Sequence, residues 1–142
     1  MPSQLSQLVY YSEVNEQNKL ELESLLHKAQ DHNSKNYITG ALWAYGKFYI
    51  QVLEGERAKV SDLYHNICAD PHHNGVVLVG CIDIEERDFA DWWMAFIMDT
   101  DVNREAILKY SCSDRLEPRK MSHQRLIQLM KTVKLSQTAR SD

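Results

Sequence analysis

Apolar and polar positions along the first hundred residues follow two spacings, which predict five strands and two helices. Runs rich in β-branched and aromatic residues are typical of strands, and they lie at Leu5–Ser12, Ile38–Tyr45, Phe48–Glu54, Val76–Ile84 and Phe89–Met98. Two other segments carry apolar residues every three or four positions, which predicts helices at Glu16–Asn33 and Arg57–Ala69. The polar stretch Asn33–Asn36 and the pair Asp70-Pro71 are expected to end these helices.

The order of these elements predicts the fold class. βαββαβ followed by one more strand is the ferredoxin-like pattern of an α+β fold, a mixed five-stranded sheet with two helices on one face. The strands are apolar at both alternating positions, so both sheet faces need cover. Two further amphipathic segments, Val102–Tyr110 and Met121–Leu135, are therefore expected to be C-terminal helices that cap the other face. The last residues, Ser136–Asp142, are expected to be disordered.

Composition and charge narrow the class of protein. The chain has 142 residues, a net charge of -4 and a pI near 5.8, which argues against nucleic-acid binding. No apolar run approaches the roughly 18 residues that a membrane span needs, and the N-terminus lacks the blocks of a signal peptide. Three widely spaced cysteines fit reduced thiols better than a disulfide framework. We expect a cytoplasmic protein with no membrane or nucleic-acid partner.

One polar residue stands out within a predicted strand. The stretch YIQVLEG, Tyr49–Gly55, is apolar at both alternating positions, yet Gln51 lies in its middle. A buried primary amide costs roughly 1–3 kcal/mol for each group left without a partner. Gln51 therefore needs specific hydrogen-bond partners.

Other polar groups also fall where a core is expected. Asn33 and His32 continue the apolar stripe of the first helix, and Tyr10 lies in the middle of the first strand. Each has a simple structural explanation: Asn33 as a helix-terminating residue, Tyr10 as a half-buried strand tyrosine, and the cluster of Trp92 and Met94 as core. Taken together with Gln51, they indicate one cavity for a ligand rich in hydrogen-bonding edges, lined by both helices and the sheet.

Metal binding and covalent catalysis are weakly supported. His65-x-x-Cys68, followed by Asp70, His72 and His73, contains residue types that bind zinc, but paired cysteine motifs are absent. Nothing in the sequence places a base beside a thiol. The chain also lacks a GxGxxG or Walker-type phosphate loop. We expect no metal and no enzymatic activity.

Several linked motifs resemble those of the BLUF family, which are flavin-binding blue-light sensors. They are LVYYSEV, HNSKNYITGAL, FYIQVLEGERAKV, the DPHH turn and RDFADWWM, in order and with the family's spacing. The resemblance covers Leu5 to Met98 and implies a flavin-binding domain at residues 1–98. The tail LKYSCSDRLEPRKM resembles the cap of short, stand-alone PixD-like members, which implies a C-terminal helical extension at residues 99–142.

The resemblance also implies roles for individual residues. It implies an FAD whose ring lies between the two helices, with Tyr10 as the photoactive tyrosine and Gln51 bridging it to the flavin. Asn33 and the preceding His32 match positions at the polar edge of the ring. Further matches are Trp92 and Met94, which form a modulating pair near the glutamine, and Asp70 and His73, which flank the flavin mouth.

The implied function is blue-light sensing. An excited flavin takes an electron and a proton from Tyr10, and the Gln51 amide then rotates or tautomerises, giving a red-shifted signalling state. The readout would be a light-dependent contact with a partner protein, such as a response-regulator-like one, together with homo-oligomerisation. Two alternatives remain at this point: a small ferredoxin-fold enzyme of the acylphosphatase kind, and a flavin-free interaction module.

Overall fold

A computed structural model describes residues 4–14, 22–71, 73–97 and 101–140. These residues form a five-stranded sheet and four helices. The strands are β1 (Leu5–Val14), β2 (Thr39–Tyr45), β3 (Phe48–Glu56), β4 (His73–Asp83) and β5 (Ala95–Ile97). The helices are α1 (Leu22–Asn36), α2 (Arg57–Ala69), α3 (Asp101–Tyr110) and α4 (His123–Arg140), with a short 3₁₀ turn at Pro118–Lys120.

The sheet has the strand order β4-β1-β3-β2-β5. The β1–β3, β1–β4 and β2–β3 pairs are antiparallel, whereas β5 runs parallel to β2. In this register Tyr10 of β1 lies directly opposite Gln51 of β3. The ferredoxin-like α+β fold expected from the sequence is confirmed.

Each face of the sheet packs against its own pair of helices. One core lies between the sheet and the helices α1 and α2, and includes Leu8, Tyr10, Leu42, Tyr49, Leu53, Val60 and Met94. The other lies against α3 and α4 and includes Val9, Trp43, Ile50, Val52, Ile107, Leu126 and Met130. Successive strand residues thus enter opposite cores, as the apolar residues at both alternating positions predict.

Helix α1 ends later than the sequence predicts. The polar stretch from Asn33 was expected to end it, but the helix continues to Asn36. The side chains of this stretch bond within the helix, because Lys35 pairs with Asp31 at 3.1 Å and Asn36 donates to the carbonyl of His32. The residue after the helix, Tyr37, has a left-handed φ of 55°, which stops it from continuing. Asn33 therefore lies in the last helical turn rather than beyond it.

The last strand is much shorter than predicted. Among the described residues, Ala95–Ile97 forms the ladder with β2. The expectation was a strand from Phe89 to Met98, and Met98 lies outside the described residues. The backbone before it is held by the buried carboxylate of Glu54, which accepts hydrogen bonds from the amides of Asp88 and Phe89 at 2.9 and 2.8 Å. These bonds replace strand pairing and form a strap, which we define as residues 88–94.

The C-terminal helix is longer than predicted. Helix α4 runs to Arg140, beyond the expected end at Leu135 and into residues expected to be disordered. Residues 136–140 contain no Gly or Pro to stop it. At its start, His123 Nε2 lies 2.9 Å from Gln7 Oε1, and Gln7 donates to Glu54 at 2.8 Å. Within the described residues, none of the helices has the length and apolar character of a membrane span.

Candidate functional site

A cleft of about 230 Å³ opens between α1, α2 and the sheet. Its floor is formed by β2, β3 and the strap, and its walls by the two helices. The apolar lining consists of Leu26, Ala29, Leu42, Leu63, Ile67 and Met94. The polar lining consists of Lys28, His32, Asn33, Gln51, Asn66 and Asp70. An apolar cleft with a few convergent polar groups is the usual form of a small-molecule site.

Gln51 sits at the floor of the cleft and is only 6% exposed. Its Oε1 accepts a hydrogen bond from the Tyr10 hydroxyl, and its Nε2 donates to Met94 Sδ at 3.1 Å. A thioether sulfur is a weak acceptor, so the amide is held firmly at its oxygen end and loosely at its nitrogen end. The buried amide that the sequence singled out therefore has both of its partners on the α1–α2 face of the sheet.

Tyr10 is fully buried beside Gln51. Burial, reinforced by nearby Cys68, Tyr64 and Asp70, raises the pKa of its phenol well above the ordinary value of 10.0. The hydroxyl therefore remains protonated at neutral pH. It is a proton donor whose proton points at the Gln51 oxygen.

Asn33 has one satisfied and one unsatisfied end. Its side chain is 1% exposed, and Nδ2 donates to the Trp93 carbonyl at 3.0 Å. The buried Oδ1 has no hydrogen-bond partner, although such an orphan costs roughly 1–3 kcal/mol. Because α1 continues to Asn36, the helix-terminating explanation of Asn33 is wrong. Its unpaired acceptor indicates a ligand with a hydrogen-bond donor.

Most of the other predicted residues lie at the cleft, with one that cannot be placed. His32, at the exposed surface of α1, and Asp70, at the C-terminal end of α2, both line it. The side chain of His73 lies outside the described residues. The sequence analysis missed Lys28, an exposed lining residue one helical turn before His32. Its i, i+4 spacing from His32 was the signal that could have identified it.

The Trp92–Met94 pair is divided between the two faces of the sheet. Met94 is buried against Gln51, as expected. The Trp92 ring instead lies on the α4 side, 6.2 Å from the Phe89 ring centroid and with Lys134 Nζ 5.3 Å from its own centroid. Trp92 therefore does not line the cleft in this structure, and the neighbouring Trp93 is 45% exposed.

The cleft suits the ring system of a flavin. An isoalloxazine has apolar faces and one edge that combines N–H donors with carbonyl acceptors. Leu63 and Ile67 of α2 and Ala29 of α1 provide apolar walls. The unpaired Asn33 oxygen provides an acceptor for a ring N–H. The residues present therefore fit this group.

Three comparisons with known proteins agree with this assignment. Residues 5–95 match the model of the BLUF family, described as sensors of blue-light using FAD. The photoactivated adenylate cyclase subunit beta of Euglena longa is 33% identical over 92 residues, which are 64% of this chain and 11% of the cyclase. The light- and temperature-regulated antirepressor BluF of Escherichia coli K12 is 31% identical over 86 residues, 60% of this chain and 21% of BluF. The photo-activated state of BlsA superposes with a TM-score of 0.84 at 26% identity, covering 91% of this chain and 94% of BlsA.

The chain belongs to the BLUF family, a family of flavin-binding blue-light sensors. The matched region is that of a sensor domain, which favours a flavin-binding sensor over the acylphosphatase-like alternative and over a flavin-free module. The chain spans only 11% of the cyclase and 21% of the antirepressor that it matches. Among the described residues, no three His, Cys, Asp or Glu side chains lie close enough together to hold a metal ion.

Proposed function

We propose that this protein binds FAD in the cleft and senses blue light through Tyr10 and Gln51. The observation that carries the proposal is the chain of contacts from the Tyr10 hydroxyl through the Gln51 amide to Met94. Asn33 holds the polar edge of the ring, and His32 and Asp70 lie at the cleft. His73 is expected to flank the mouth.

A flavin bound here would supply the absorption of blue light and a strongly oxidising excited state. Tyr10 gives up an electron, and its phenolic proton leaves through the hydrogen bond to Gln51 Oε1. Gln51 then rotates or tautomerises, because a primary amide presents a donor and an acceptor on one group. Only the weak bond to the Met94 sulfur opposes the release of its nitrogen end. The altered amide binds the ring edge differently, which shifts the absorption to the red.

The strap connects this event to the C-terminal helices. The carbonyl of Met94 accepts a hydrogen bond from Gln30 of α1 at 3.0 Å. Six residues earlier, Asp88 pairs with Lys131 of α4 at 3.2 Å, and Asp91 pairs with Lys134. A displacement of Met94 is thus transmitted to α1 through Gln30 and to α4 through the two lysine pairs. We infer that α4 presents the output, to a second copy of the chain and to a cytoplasmic, response-regulator-like protein.

FAD rather than FMN is favoured by the family description. Lys28 is an exposed residue of the cleft lining, and a cation there is suited to a phosphate of the cofactor. The cofactor released by heat from the purified protein is identified by chromatography against both standards. Release of FMN alone would contradict this choice.

The test of the photochemical proposal is a difference spectrum of the flavin-loaded protein in the dark and under blue light. The wild-type protein should show a red shift that decays in the dark. Tyr10→Phe and Gln51→Leu should bind flavin but lose the shift, whereas Tyr11→Phe, on the opposite sheet face, should keep it. A normal shift in either cleft variant would refute the assignment.

The proposed output has its own measurement. Size-exclusion chromatography with light scattering, performed in the dark and under blue light, reports the mass of the assembly. We expect a homo-oligomer whose elution changes with light, and we expect this change to be absent in Gln51→Leu. A monomer under both conditions would contradict the oligomer part of the proposal and leave the spectral part standing.

A further inference from the structure

A second tyrosine, Tyr64, packs against the ring of Tyr10. The ring centroids of Tyr10 and Tyr64 are 5.7 Å apart, with an interplanar angle of 58°. This lies within the range in which aromatic rings interact directly. Tyr64 belongs to α2 and is half-buried, and it does not line the cleft.

Tyr64 is in turn connected to a thiol at the protein surface. Cys68 lies four residues, about one helical turn, further along α2 and therefore on the same helix face. Burial, followed by the interaction with the Cys68 side chain, raises the pKa of Tyr64 to about 12. Cys68 itself is exposed. A continuous series of oxidisable side chains therefore leads from the buried Tyr10 to solvent.

We propose that Tyr64 is a second redox-active tyrosine, which returns an electron to oxidised Tyr10 and passes the oxidising equivalent on to Cys68. The inference rests on the proposed function, because Tyr10 must first give an electron to the flavin. It assigns to Tyr64 and Cys68 a light-driven thiol oxidation that competes with switching.

The steps balance in electrons and protons. Tyr10 gives one electron to the bound flavin, which would be the oxidant. The relay departs from switching at this point, because the Tyr10 phenolic proton has not yet moved along the hydrogen bond to Gln51. Tyr64 transfers one electron to Tyr10, which restores the neutral phenol, and Tyr64 releases its own phenolic proton to water. The Cys68 thiol then transfers a hydrogen atom to the Tyr64 oxygen, breaking the S–H bond and forming the O–H bond. This last step is feasible because phenolic O–H and thiol S–H bonds have similar strengths. The result is a sulfur-centred radical at an exposed site, the first step towards oxidised cysteine.

The chain contains its own controls for non-specific oxidation. Cys81 and Cys112 are also exposed, so diffusing oxidants would reach all three thiols. Burial raises the pKa of Cys81, which slows its reactions as a thiolate. For each cysteine, the amount of adduct in the illuminated sample is therefore compared with the amount in a sample kept in the dark.

The test uses the flavin-loaded protein in oxygen-free buffer with a nitrone spin trap, with peptide mass spectrometry to locate the adduct. Blue light should place the adduct on Cys68 in the wild-type protein. The adduct should be lost in Tyr64→Phe and in Tyr10→Phe, and retained in Tyr11→Phe. In Cys68→Ala it should move to Tyr64. Equal labelling of all three cysteines, or a persistent Cys68 adduct in Tyr64→Phe, would overturn the proposal.

Two further readouts separate this inference from the proposed function. The dark-reversible red shift, recorded on the same samples, reports Tyr10 and Gln51. A normal shift without a Cys68 adduct refutes the Tyr64 relay alone, whereas loss of the shift in the wild-type protein refutes both. In the flavin-free protein, an ultraviolet alkaline titration should show the pKa of Tyr64 falling in Cys68→Ala. An unchanged pKa would show that the two side chains do not interact closely enough for the last step.

Discussion

The hydrogen bond between Tyr10 and Gln51 can be tested without flavin or light, by a double-mutant cycle on protein stability. Gln51→Leu removes the acceptor of a hydroxyl that is fully buried. Depriving a buried polar group of its partner costs about 1–3 kcal/mol. A leucine at a position that is 6% exposed recovers about 1 kcal/mol through apolar burial. The single variant should therefore lose about 0–2 kcal/mol of unfolding free energy.

The second substitution should not add to the first. Tyr10→Phe alone leaves the Gln51 oxygen without its donor and should cost about 1–2 kcal/mol. In the double variant both polar partners are replaced by apolar groups, which is nearly neutral. The two single losses together amount to about 1–4 kcal/mol, so we expect a coupling energy of about that size between the two positions.

Urea unfolding of the flavin-free protein, followed by far-ultraviolet circular dichroism, measures all four corners of the cycle. Tyr11→Phe combined with Gln51→Leu is the matched control, since Tyr11 packs on the opposite face of the sheet. This control pair should be additive within about 0.5 kcal/mol. Additive effects of Tyr10→Phe and Gln51→Leu would show that the two side chains are not partners, and the proposed relay would lose its structural basis.

Three other predictions follow from the site and from its connection to α4. Asn33→Ala removes the unpaired buried oxygen. Equilibrium dialysis should therefore show weaker flavin binding, whereas the flavin-free variant should melt at an equal or higher temperature than the wild-type protein. Unchanged flavin affinity would contradict the role of Asn33 at the ring edge. Burial lowers the pKa of His123 below 6.5. Below about pH 6.5 the unfolded state therefore binds more protons than the folded state, and the free energy of unfolding should fall as the pH drops. Urea melts of His123→Gln should lack this loss, and an equally steep loss would exclude His123 as its source. Lys134→Met should cost about 1–2 kcal/mol in the same melts, because Lys134 Nζ lies 5.6 Å from the Phe89 ring centroid and 5.3 Å from that of Trp92, and the side chain is 16% exposed. The control Lys120→Met, which breaks an exposed pair with Glu117, should change stability by less than about 0.5 kcal/mol. Equal effects of the two substitutions would deny Lys134 a special role.

Much of the fold could be predicted because it depends on local patterns. The bounds of α2, Arg57–Ala69, agree with the prediction, since its apolar stripe is bounded by a strand and by Asp70-Pro71. The covered second face followed from strands that are apolar at both alternating positions. The same alternation put Gln51 with Tyr49 and Leu53 on the α1–α2 face.

The errors arose where distant side chains determine the backbone. Nothing near Phe89 in the sequence shows that the Glu54 carboxylate, 35 residues away, accepts its amide hydrogen bond. The strand pattern at 89–94 therefore predicted pairing that the chain does not make. The roles of individual site residues likewise came from the family resemblance, since spacing alone left helix capping and core packing open for each of them.

The position of Trp92 follows from the same cause. Trp92 and Met94 would share one face if residues 89–94 formed a regular strand. Among the described residues, regular pairing with β2 is confined to Ala95–Ile97, although the Trp92 carbonyl accepts a hydrogen bond from the Gly40 amide of β2 at 2.9 Å. Met94 therefore turns towards Gln51, whereas the Trp92 ring lies beside Phe89 and Lys134. Any influence of Trp92 on the photochemistry must, in this conformation, pass through the strap and not through contact with Gln51. Because Lys134 of α4 lies against the Trp92 ring, the helix proposed as the output contacts the same strap that carries Met94 to Gln51.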